Sequence, residues 1–145
     1  MKNLWPESFS ENDKMSAKQV LEEQANLLPK LTGDLVYAEV TELDLLQAAQ
    51  HGKRNDFVFR FDIKGKFLED YRFQVFSFSH DITLYPVLFK LDELLGKELH
   101  ITEDTFLSGL TIEIEGPEQL EEFVSQILQS KRVSKVIGSI MSLTK

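Results

Sequence analysis

The stretch DFVFRFDIKGKF, residues 56–67, sets Phe57, Phe59, Phe61 and Ile63 in alternation with Val58, Arg60, Asp62 and Lys64. Successive side chains of an extended chain point to opposite faces, so this period of two predicts a strand with one apolar face. Lys64-Gly65-Lys66 then reads as a turn and Leu68 to Ser79 as the returning strand of a hairpin. On the return, Tyr71, Phe73 and Val75 are in phase, whereas Phe76 and Phe78 fall on the opposite face. Either a bulge shifts the register or the strand is covered on both sides. Eleven Phe in the chain suit such a pleated, large-cored sheet.

Further strands follow from the same pattern. Leu35 to Leu43 is strand-like, and LLQAAQHGKRND after it reads as a helical turn and a polar loop. In ITLYPVLFKLD, Tyr85, Val87, Phe89 and Leu91 share one face while Leu84 and Leu88 share the other. Pro86 has no N–H for a sheet ladder, which argues for an edge strand or a strand start. Residues 92–109 are irregular, with a helical turn at Asp92 to Leu95. LTIEIEG (110–116) reads as a short strand with Leu110, Ile112 and Ile114 inward and Glu113 and Glu115 in water.

Helices flank this block. Ser16 stands three residues before Gln19, the capping-box spacing, so a helix is expected to start at Ala17. Its apolar stripe is Val20, Leu21, Leu27, Leu28 and Leu31 with Gln24, and Pro29 with Gly33 closes it. Gly116-Pro117 launches a second helix, because Pro fits the first helical position where its missing N–H costs nothing. Leu120, Phe123, Val124, Ile127 and Leu128 form its stripe, and Glu118, Glu121 and Glu122 suit its positive end. Val133, Val136, Ile137, Ile140 and Met141 repeat the pattern out of phase, so the apolar face turns at Ser130 to Arg132 and the run is two helices.

The predicted architecture is α+β: an N-terminal helix, four or five mostly antiparallel strands in a meander, and two C-terminal helices on one face. The 145 residues fit one domain, residues 16–145, preceded by a polar arm, residues 1–15. The absence of Cys removes disulfides, thiolate metal sites and thiol nucleophiles. With no secretory signal in the first residues and no long apolar run, a cytoplasmic protein without membrane contact is expected. A net charge of −8 argues against nucleic acid, whose binding draws on Lys and Arg.

Candidate chemistry is sparse. Ser79, His80 and Asp81 are the three residue types of a hydrolase triad, but neighbours on a strand point apart and no GxSxG elbow surrounds Ser79. A strand corner is the better reading. Asp62-Ile63-Lys64 has the D/E-x-K spacing of metal-dependent nucleases, where carboxylate and Lys project to one side. Those enzymes need a further Asp on a neighbouring strand, and only Asp56, on the same strand, is near. Its simpler reading is a solvated strand face. His51, His80, His100, Glu103 and Asp104 lack metal-ligand spacing, and phosphate-cradling Gly motifs are absent. No cofactor or metal is expected.

Surface recognition remains. Trp5 and Phe9 sit in an otherwise polar arm, as anchors for a partner protein or as a clasp on their own core. The C-terminal helix covers the sheet or forms a homodimer contact. The leading expectation is a non-enzymatic, acidic protein acting by protein–protein interaction, as an inhibitor, immunity-type or accessory factor. The alternatives are a metal-dependent nuclease at Asp62 and Lys64, and a binding protein for a small apolar ligand.

Overall fold

The computed structural model describes residues 1–49, 56–101 and 111–144. Five strands, β1 (Val36–Glu42), β2 (Phe57–Gly65), β3 (Leu68–His80), β4 (Val87–Leu91) and β5 (Thr111–Ile114), pair antiparallel in sequence order. The helices are α1 (Ala17–Leu31), α2 (Leu45–Ala49), α3 (Glu93–Glu98), α4 (Pro117–Leu128) and α5 (Lys131–Leu143). The expected meander, with its helix before and two helices after, is what the chain adopts.

The hairpin that dominates the sequence dominates the sheet. Phe61 pairs with Phe76, but Asp62 pairs with Gln74, so Val75 is an extra residue in β3. This bulge answers the phase problem on the return strand: it puts Phe73, Phe76 and Phe78 on one face, opposite Ile63, Phe61 and Phe59. The rings then stack across strands, Phe61 on Phe76 at 5.2 Å, Phe59 on Phe78 at 5.1 Å and Phe78 on Phe89 at 5.7 Å. Phe123 of α4 meets Phe89 edge-on at 5.2 Å. Each such pair contributes about 0.5–1.5 kcal/mol beyond its area burial. The turn itself lies one residue later than the sequence suggests. Gly65 stays in β2 and pairs with Leu68, leaving Lys66 and Phe67 as a two-residue loop.

One local expectation needs correcting and another resolves between its alternatives. Pro29 does not close α1, which continues to Leu31. In the last turn the missing N–H costs one bond, while the Pro29 carbonyl still accepts from Thr32 and Asp34. Of the two readings of Pro86 the strand start holds and the edge strand does not: β4 lies between β3 and β5, and Pro86 stands just before it, where no ladder bond is asked of it. The capping box at Ser16 and Gln19 forms as expected, and Ser130 caps α5 through the Val133 N–H. Leu110 and the polar loop at 50–55 lie outside the described residues, as does most of the irregular stretch after α3.

α1, α4 and α5 share the Phe face. Leu21 of α1, Leu120 and Ile127 of α4 and Ile140 of α5 join Phe61, Phe76 and Phe89 in one buried cluster. The opposite face is not uniformly wet: Val58, Asp62, Ser79 and Leu88 are buried on it. Polar fixings seat the last helix. Glu98 of α3 accepts from the Lys131 and Arg132 amides at 2.7 and 2.9 Å, and the Arg132 guanidinium pairs with Asp92. α5 comes close to β2 at Gly65, where a Cβ would lie 2.7 Å from Ile140 Cγ2. Gly65→Val is therefore expected to destabilise the fold by about 1–3 kcal/mol. Adding Ile140→Ala to that variant should recover part of the loss relative to the sum of the two single changes, as read by urea denaturation of all four proteins.

Candidate functional site

A trough of about 780 Å³ lies on the Phe face, walled by α1, α4 and α5. Phe61, Ile63 and Ala38 supply part of its floor. These are inward-facing positions of β2 and the edge strand β1, with Ala38 opposite Ile63, so the floor is made of side chains. On the α1 wall, Glu23, Leu27 and Leu31 recur every four residues and share one stripe. The predicted burial of that stripe is only half realised. Val20 and Leu21 are buried, but Leu27 is 47% exposed and Leu31 79% exposed. Val124 and Leu128 of α4 and Val133, Ile137 and Met141 of α5 make the facing walls.

The ends of the trough are marked by contacts. At one, the Tyr85 hydroxyl donates to the Met15 carbonyl at 2.7 Å, fastening the start of α1 to the strand corner. Burial, with the Glu121 carboxylate nearby, pushes that hydroxyl above its ordinary pKa. At the other, the Thr32 hydroxyl bonds both the Val36 N–H and the Val36 carbonyl at 3.1 Å, and Val36 pairs with Gly65, against which Ile140 rests. Glu23 and Glu121 are the charged residues among its described lining.

Trp5 and Phe9, singled out from the sequence, pack edge-to-face on each other at 5.9 Å. They stand 74% and 73% exposed, and neither joins the buried cluster. Met15, at the base of their arm, lines the trough.

Asp62 and Lys64 do project to one face, the side away from the helices, but with other company than metal. Asp62 is fully buried rather than solvated. Its Oδ2 accepts from Arg60 Nε at 2.6 Å and lies 3.6 Å from Arg72 Nε, while Oδ1 has no hydrogen-bond partner among the described residues. Lys64 pairs with Glu39 at 3.4 Å on the adjacent strand and lies over the Tyr37 ring. The spacing that suggested a nuclease thus coincides with an ion-pair network across β1, β2 and β3.

The Ser79-His80-Asp81 trio does not converge. Ser79 and His80 occupy opposite faces at the end of β3, and His80 stacks on Phe57 at 5.3 Å. Asp81 begins the turn, accepting from the Thr83 N–H at 2.8 Å and from the Thr83 hydroxyl. Those bonds hold its carboxyl below the usual value. Among the described residues no group of three or more His, Asp or Glu could hold a metal ion; His51, Glu103 and Asp104 lie outside them. No described helix is long and apolar enough to cross a membrane.

The trough and the Asp62 network were the parts that sequence reasoning missed. The apolar stripe of α1 pointed toward the first, and Arg60 two residues before Asp62 was the available signal for the second. No protein-family model, curated protein or solved structure matches the chain.

Asp62 generates a pH prediction. Burial raises its pKa above the ordinary 3.8, outweighing the Arg60 hydrogen bond and the charges of Arg60 and Arg72, with Glu39 adding a smaller push in the same direction. A carboxyl with a raised folded-state pKa contributes stability below its unfolded value and loses it as pH rises through the folded value. The stability of the wild type relative to Asp62→Asn should accordingly be highest near pH 4 and decline toward pH 7, measured by urea denaturation at a series of pH values. A difference that grows with pH would mean that the two guanidiniums dominate instead.

Proposed function

We propose that this chain is a non-enzymatic protein-binding module, an inhibitor or accessory factor by type, that receives an apolar segment of a partner protein in the trough between α1, α4 and α5. The observation that carries this reading is the bare wall of Leu27 and Leu31 above a floor already lined with Phe61 and Ile63. Large apolar side chains in a concave site are the usual anchors of protein recognition. The exposed Trp5–Phe9 pair supports the same reading, since it adds open aromatic surface on the arm that leads to Met15, a lining residue of the trough. A net charge of −8 fits a partner with a basic face.

A small apolar ligand is the second reading, favoured by the volume of the trough, which falls within the range of about 300–1,000 Å³ common for small-molecule sites. The open wall at Leu31 favours a macromolecule, which can cover what a small ligand would leave in water. The nuclease alternative gains no support at Asp62, where two guanidiniums crowd the carboxylate and repel a divalent cation.

The test is a pair of baits, wild type and Leu27→Gln with Leu31→Gln. Leu31 is largely exposed and Leu27 about half exposed, so folding should change by about 0.5 kcal/mol at the first and about 1 kcal/mol at the second. Partners recovered from the native host by the wild type, identified by mass spectrometry and then purified, should bind the double variant at least roughly 30-fold more weakly. Equal binding of the purified partner by both proteins, or recovery of no partner by either, would overturn the proposal.

A further inference from the structure

Resting on the reading of the trough as a docking site, the geometry points to its occupant: a cationic amphipathic helix. Two features of the lining select it. The first is the floor. Phe61 and Ile63 stand on β2, which is paired on both sides by β1 and β3, and Ala38 stands beside them on the edge strand β1; all three meet the trough with their side chains. An extended peptide laid on them finds no strand edge to bond, and its own N–H and C=O groups would go unpaired as they left water. A helix satisfies its backbone internally and presents only side chains, which is what a trough of side chains can accept.

The second feature is polarity along the trough. On α1 the stripe runs Glu23, Leu27, Leu31, and on α4 Glu121 is followed by Val124 and Leu128. Glu121 lies near Tyr85, which is fastened to Met15 at the start of α1, while Glu23 stands midway along the α1 wall, between Val20 and Leu27. Among the described residues no Lys or Arg lines the trough; Arg132 of α5, just outside it, is engaged by Asp92. A helix with large apolar residues at i, i+4 and i+7 and Lys or Arg on the turns over Glu23 and Glu121 matches both the apolar wall and its two acids. An acidic helix with the same apolar face would be repelled there.

The experiment uses the full chain and two labelled synthetic helices of roughly four turns with identical Leu faces, one carrying Lys and the other Glu on its flanks, titrated by fluorescence anisotropy. The Lys helix should bind at least roughly tenfold more tightly than the Glu helix. That gap should narrow as salt is raised, reverse in Glu23→Lys with Glu121→Lys, and vanish with binding itself in Leu27→Gln with Leu31→Gln. Equal binding of both helices, lost in the Leu variant, would overturn the cationic assignment while leaving the trough as the docking site. Failure of both helices alongside tight binding of dodecanol would overturn a helical occupant in favour of a small apolar ligand. Binding of the Lys helix unchanged in the Leu variant would overturn both the occupant and the site.

Discussion

Much of the molecule depends on the extra residue Val75 in β3. A strand alternates faces without exception, so Phe73 cannot share a face with Phe76 and Phe78 unless one residue between them is looped out of register. With the bulge in place, the aromatic side chains of β2, β3 and β4 form a continuous stacked surface, and the helices have one apolar face to cover. The same shift places Gln74 opposite Asp62 on the other face, where the carboxylate is buried between Arg60 and Arg72. Core and ion-pair network are two sides of one register.

What keeps the trough open is that its walls are positioned by polar fixings as much as by apolar contact. α1 is fastened at its start by Tyr85 on the Met15 carbonyl and at its end by Thr32 on Val36. α5 is set by Glu98 on its first amides and by the Asp92–Arg132 pair. Each helix is thereby held over the sheet without having to bury the whole of its stripe. Leu27 and Leu31 remain in water, at a cost in stability that an apolar segment seated against them would offset.

How far the sequence could be read differs from part to part. The hairpin, the capping box at Ser16, the Pro at the start of α4 and the change of helical phase near Ser130 were all legible, because each is a local rule acting over a few residues. The bulge was half legible: Phe76 and Phe78 announced a phase change, but only the pairing of Asp62 with Gln74 located it at Val75. The Asp62-Ile63-Lys64 spacing showed which side chains share a face and nothing about what lies against that face. Arg72, two residues before Gln74, reaches Asp62 through the strand register that the bulge sets. For Trp5 and Phe9, sequence identified aromatic residues in a polar arm; their contact with each other rather than with the core is a matter of geometry.

The sequence by itself determined the elements, their order and the apolar side of each, since period, capping and turn chemistry are properties of neighbouring residues. Tertiary structure alone decided how much of each apolar side is covered. Periodicity gives the direction in which Val20 and Leu31 point, and eleven residues apart it is nearly the same direction; one is buried and the other is open to solvent. The difference arises from the distance between α1 and the helices facing it, set by contacts between residues far apart in the chain, and no local pattern encodes that distance.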